Sequence, residues 1–139
     1  MYILKSEATF DSAHFLSGYN GKCRNIHGHT WKIIAEICSE TLESDGQCRG
    51  MVVDFGDLKK TLKQLADSFD HTLIYEKNTL RPETVMALKA EKISLTEVGF
   101  RPTSENFARC FFDKLTDCGF RVKRVTVYET PTNCAVYEE

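Results

Sequence analysis

The chain has 139 residues, 42% hydrophobic and 27% charged, which suits one soluble globular domain over 1–139 with a core of its own. Eighteen basic against twenty acidic residues leave a net charge of -2 without a long basic run, so nucleic acid is not expected as a partner. No apolar stretch approaches the roughly 18 residues of a membrane span, and Lys5 and Glu7 interrupt any signal-peptide core, so a cytoplasmic protein without a membrane partner is expected.

In a reducing compartment the six cysteines (23, 38, 48, 110, 118 and 134) are expected as free thiols. Cys110 falls in a helical apolar pattern and reads as a small core residue. Only Cys23 has neighbours that suggest chemistry.

Residues 2–14 alternate, with Leu4, Ala8, Phe10, Ser12 and His14 on one face and Lys5, Glu7, Thr9 and Asp11 on the other. The pattern predicts a half-buried strand with His14 at the end of its apolar side. A Gly- and Asn-rich loop covers 17–25. A second strand follows, with His27, His29, Trp31, Ile33, Ala35 and Ile37 on one face, and the two strands read as an antiparallel hairpin.

A polar connection spans 40–49, and Met51-Val52-Val53 reads as a short strand end. Asp54 is an N-cap, with Asp57 at an acidic variant of the capping-box position. Leu58, Leu62, Leu65, Ala66 and Phe69 then mark the apolar face of a helix that Asp70-His71 closes. Two interpretations of His71 stay open here: a histidine on the helix dipole, or a carboxylate–imidazole pair for proton transfer.

The 76–101 stretch is charged and mixed, with a short helix expected after Pro82 and no evident chemistry. Thr103 or Ser104 caps a further helix whose buried stripe is Phe107, Cys110, Phe111 and Leu115, ended by Gly119. Residues 120–137 form a second hairpin around Pro131-Thr132-Asn133. There Glu129 aligns with Val125 and Val127, and a lone buried carboxylate is costly. Glu129 therefore lies beyond the core's rim or meets a cationic or amide-like group. The whole predicts an α+β domain, an antiparallel sheet of two hairpins with two main helices on one face.

The stretch that carries the chemistry is Cys23-Arg24-Asn25-Ile26-His27-Gly28-His29. On a strand His27 and His29 project from the same face. With His14 they supply three nitrogen donors, a set that fits zinc. Two arrangements are open. Cys23 and the three histidines could close a structural four-ligand sphere, or the histidines alone could leave a position open and free Cys23 as a reactive thiol. The Cys-x3-His-x-His spacing is unlike paired-cysteine fingers, and a domain of this size has little need of a metal staple, which favours catalysis.

That block, the upstream DSAHFL (11–16) and the later VVDFGDLK (52–59), FDHTLI (69–74), RPTSENFA (101–108) and VTVYETPT (125–132) resemble, in order, the 6-pyruvoyltetrahydropterin synthase family. The Cys-to-His spacing is most similar to its bacterial branch, which forms 6-carboxytetrahydropterin for queuosine biosynthesis. The resemblance covers nearly the whole chain. It implies the tunnelling fold, with subunits pooling their sheets into a barrel, a homohexamer of two trimers, and active sites between subunits. It further implies Zn2+ on His14, His27 and His29, Cys23 as catalytic thiol and Asp70 and His71 as the proton-transferring pair. Glu129 matches the glutamate that holds the pterin ring, and Thr103 and Ser104 match positions near the pterin pocket.

The implied substrate is a small pterin triphosphate, 7,8-dihydroneopterin triphosphate. The implied products are 6-carboxy-5,6,7,8-tetrahydropterin, acetaldehyde and triphosphate. Lys22 and Arg24 are near enough in sequence to grip the triphosphate. The alternatives are a pyruvoyl-forming synthase and a non-catalytic zinc-stapled pterin-binding module. The 76–101 segment is longer than expected for the compact bacterial enzymes.

Overall fold

Two thirteen-residue strands set the frame. In the computed structural model, which describes Met1–Glu139, β1 (Tyr2–His14) and β2 (His27–Ser39) pair antiparallel over their whole length, from Tyr2 opposite Ser39 to His14 opposite His27. The expected alternation holds: Phe10, Ser12 and His14 are buried, and so are Trp31, Ile33, Ala35 and Ile37. A single 3-10 turn (Lys22–Arg24) lies in the loop between the strands.

Helix α1 (Phe55–Asp67) and helix α3 (Ser104–Asp117) cover that apolar face. Asp54 caps α1 by accepting from the Gly56 N–H at 2.6 Å, and Thr103 caps α3 by accepting from the Asn106 N–H at 3.4 Å. Leu58, Leu62 and Ala66 from α1 and Phe107, Phe111 and Leu115 from α3 are fully buried. They enclose Phe10 and Trp31, whose rings stack at 6.0 Å between centroids. Each such leucine or phenylalanine contributes about 1.5–3 kcal/mol on burial, so this layer holds the strand ends that bear the histidines. Cys110 is only half-buried and packs at the rim of this core, and burial pushes its thiol pKa up.

The sheet is larger than two hairpins. Its six strands run in the order β4-β3-β1-β2-β5-β6. The second hairpin, β5 (Val122–Thr130) and β6 (Asn133–Glu138), is as expected and joins β2 antiparallel. The expectation of a wholly antiparallel sheet is corrected by β3 (Leu73–Glu76) and β4 (Leu95–Val98), which extend it with parallel pairing on the side of β1. Four-residue strands are too short to display alternation, and Leu73, Ile74 and Tyr75 are all buried, so neither showed a period of two. Between them α2 (Pro82–Ala90) is a third helix, and Val85 and Leu88 pack on a separate small core of Phe15, Leu73 and Tyr75.

Two smaller expectations are also corrected. Met51-Val52-Val53 forms no strand; Val52 and Val53 instead pack as a bend against the core. Helix α1 ends at Asp67, so Asp70 and His71 lie beyond it in a turn. The sheet face away from α1 and α3 is polar. Across β1, β2, β5 and β6 it carries the row Lys5, Glu36, Arg124 and Glu138, with Arg124 Nε 3.0 Å and Lys5 Nζ 3.7 Å from the buried Glu36 carboxylate. No helix is long and apolar enough to cross a membrane.

Candidate active site

The three histidines meet where β1 and β2 end. Register sets His14 opposite His27 and Ser12 opposite His29, so all three rings project from the helix-covered face, with centroids 4.5–5.1 Å apart. Trp31 closes the floor, edge-on to His14 at 5.0 Å and to His29 at 5.4 Å.

Backbone carbonyls decide which nitrogen faces inward. His14 Nδ1–H donates to the Pro102 carbonyl at 2.8 Å, and His27 Nδ1–H donates to the Asn25 carbonyl at 2.7 Å. A carbonyl only accepts, so in each neutral ring Nε2 carries the lone pair. Those two Nε2 atoms face each other at 3.1 Å, which is unfavourable unless a cation or proton lies between them. His29 Nε2 is buried without a hydrogen-bond partner and lies 3.5 Å from Glu129 Oε1. Burial lowers the His14 pKa to about 4 and also lowers that of His29. His14 is thereby kept neutral at pH 7, as a metal ligand must be.

The donor atoms of His14, His27 and His29 all lie within 4.8 Å of one another, a group that can hold a metal ion. Three imidazoles, two of them oriented by the Pro102 and Asn25 backbone carbonyls and the third orphaned, fit such an ion. The Cys23 thiol is not part of that group. It stands half-buried in the 3-10 turn, and the Cys23 carbonyl accepts from the Leu16 N–H at 2.9 Å. The closed four-ligand sphere is therefore not what the side chains form.

Asp70 and His71 pair directly, His71 Nδ1–H donating to Asp70 Oδ2 at 2.8 Å. The Asp11 N–H donates to Asp70 Oδ1 at 2.8 Å, and the His71 N–H donates to the Asp11 carbonyl at 2.7 Å. These bonds hold His71 at φ 55, a left-handed conformation that histidine visits more readily than most residues. The Asp11 N–H, then the His71 hydrogen bond, lower the Asp70 pKa; the bond to Asp70, then its charge, raise that of His71. The helix-dipole interpretation of His71 falls, since α1 has already ended.

Within one chain this pair is not part of the triad's donor group. His71 lines a cleft of about 720 Å³ at the sheet edge, together with Asp11, Ala13, Gly28 and Thr30 of the outer face and with Ser12 and His29. Leu88, Ile93 and Ser94 of the 76–101 segment form another wall of it. Glu129 does join the triad's surroundings: it continues the face of Val125 and Val127, which pair with Ala35 and Ile33, and lies beside His29. Thr103 and Ser104 begin α3 directly after Pro102, so their strap adjoins His14. Lys22 and Arg24 are exposed in the turn beside Cys23.

Sequence reasoning missed the groups that orient these side chains: the Asn25 and Pro102 carbonyls and the backbone of Asp11. Backbone atoms leave no residue-type signal, so nothing in the sequence could have singled them out.

Comparison with known proteins places this geometry. The sequence model of the family described as 6-pyruvoyl tetrahydropterin synthase matches residues 3–139. The chain is 38% identical over 142 residues, covering 100% of both chains, to the 6-carboxy-5,6,7,8-tetrahydropterin synthase of Haemophilus influenzae. Among solved structures, an uncharacterized protein from Wolinella succinogenes superposes with a TM-score of 0.81 at 24% identity, over 99% of this chain and 98% of that one. The 6-pyruvoyl tetrahydropterin synthase of Plasmodium falciparum does so with a TM-score of 0.69 at 18% identity, over 99% and 97%. The two structures share the fold, and the match along the full sequence carries the family: this chain belongs to the 6-pyruvoyl tetrahydropterin synthase family.

Proposed function

We propose that the chain is a cytoplasmic zinc-dependent lyase of queuosine biosynthesis. It converts 7,8-dihydroneopterin triphosphate, with water, to 6-carboxy-5,6,7,8-tetrahydropterin, acetaldehyde and triphosphate. The observation that carries the proposal is the convergence of donor nitrogens from His14, His27 and His29 beside Glu129. The name of the Haemophilus relative supports the product.

Each residue's task follows from its chemistry. His14, His27 and His29 hold the zinc ion, which when bound supplies Lewis acidity for the side-chain oxygens of the substrate. The Glu129 carboxylate accepts from the 2-amino and ring N–H edge of the pterin, which orients the ring, with the Thr103-Ser104 strap beside the pocket. Cys23 takes a proton from one side of the substrate side chain as its thiolate. His71, oriented by Asp70, whose hydrogen bond raises its pKa, carries protons on the other side.

The pair stands outside the triad's donor group within one chain, which supports completion of each site by a neighbouring copy. The polar sheet face left uncovered in the single chain agrees with subunits closing a barrel, as in a homohexamer of two trimers.

The test is to supply the zinc-loaded protein with 7,8-dihydroneopterin triphosphate and identify products by mass spectrometry. Carboxytetrahydropterin with acetaldehyde is expected. A pyruvoyl product moves the chain to the other branch, and no turnover with zinc bound overturns the lyase.

A further inference from the structure

Arg101 is the only arginine of the chain that is not exposed, and no carboxylate pairs with it. Its Nη2–H donates to the Ser17 carbonyl at 3.0 Å, and its guanidinium lies over the Tyr19 ring at 5.7 Å from the centroid. Its Nε is buried with no acceptor. A half-buried cation held by one neutral carbonyl and one aromatic face leaves its charge uncompensated, which costs free energy unless an anion arrives. Surface arginines elsewhere in the chain either pair, as Arg124 does with Glu36, or stand in water.

Its place in the fold points to which anion. Arg101 directly precedes Pro102, whose carbonyl holds His14, and it reaches to the loop that leaves β1 and leads to Cys23. Glu129 stands beside His29 of the triad, and Arg101, next to the Pro102 that holds His14 and bound to the β1–β2 loop, stands by the His14 side. Beside Tyr19 a second cleft of about 470 Å³ opens, lined by Ser17, Gly18, Asn20 and Arg24. The order ring-binding carboxylate, metal donors, cation is that of a ligand with an amide-like ring at one end and an anionic tail at the other.

We infer that Arg101 grips the oligophosphate tail of the substrate, seated on Tyr19 and helped by Arg24. The inference rests on the pterin reading above and gives its specificity for the triphosphate ester over the free alcohol. A planar guanidinium suits phosphate oxygens because its donors meet them in pairs.

The test compares wild type, Arg101→Gln and Arg101→Lys, all zinc-loaded, for binding of three probes: 7,8-dihydroneopterin triphosphate, 7,8-dihydroneopterin and inorganic tripolyphosphate. Arg101→Gln is expected to weaken both phosphate probes about tenfold or more, as loss of a charge-assisted hydrogen bond does, with 7,8-dihydroneopterin bound as before. Arg101→Lys is expected to restore part of the loss. Equal weakening of all three probes would mean that Arg101 only braces the Cys23 loop, and unchanged phosphate binding would exclude it outright. If wild type binds tripolyphosphate through Arg101 but binds neither pterin, the anion site stands and the pterin reading falls. If both pterins bind wild type and Arg101→Gln alike, the pterin reading stands and the Arg101 assignment falls.

Discussion

The protein treats the same residue type in opposite ways at two places. At the end of the β1–β2 hairpin, His14 is buried, its ring neutral and its tautomer set by a backbone carbonyl. At the edge where β1 meets β3, His71 is exposed, paired with a carboxylate and biased toward the charged form. A metal ligand needs a lone pair that protons do not contest, and desolvation supplies it. A proton carrier needs to titrate near working pH, and exposure beside one anion supplies that. What separates the two proposed roles is environment, burial behind the helices at one place and exposure beside a carboxylate at the other.

The largest test of that contrast is His27→Ala. It is expected to abolish stoichiometric zinc binding and turnover, read by metal analysis and product assay, whereas His71→Ala should keep its metal. Next, Cys23→Ala is expected to lower kcat by on the order of 10²–10⁴-fold with zinc retained, the range of a lost acid–base group. If sites form between subunits, co-refolding inactive Cys23→Ala and His71→Ala chains should regenerate about a quarter of wild-type sites, because some sites draw both intact residues from different copies. Recovery of no activity on mixing would put the two residues in one chain's site.

Asp70→Asn addresses the exposed half, with kcat falling on the order of tenfold, within the range of a misoriented proton carrier. An NMR titration of His71 should show its pKa above 6.5 in wild type and lower in the variant. The sign follows from linkage. Asp70, held low, stabilises the fold above the ordinary carboxylate range, and that contribution is lost as pH falls through its lowered pKa. His71, held high, contributes fully below 6.5, and its share is lost as pH rises through the raised value. The smallest effect expected is from Thr103→Ala, about 1 kcal/mol lost with the α3 cap in chemical denaturation.

Much of this was already determined by the sequence. Period-two alternation was enough to place His14, His27 and His29 on one face, because strand side chains alternate whatever surrounds them. Helical spacing and the caps at Asp54 and Thr103 marked α1 and α3 for the same local reason. Strands β3 and β4 escaped, being too short and, at Leu73, Ile74 and Tyr75, too uniformly buried for any period to appear. Tertiary structure alone decided the rest. It turned the imidazoles through the carbonyls of Asn25 and Pro102, left Cys23 outside the donor group, and set His71 in a turn at the edge of β1 against Asp70. Those outcomes depend on backbone atoms and on segments up to 88 residues apart, as with His14 and Pro102. A one-dimensional pattern carries no record of such contacts, because they exist only once the core has brought the segments together.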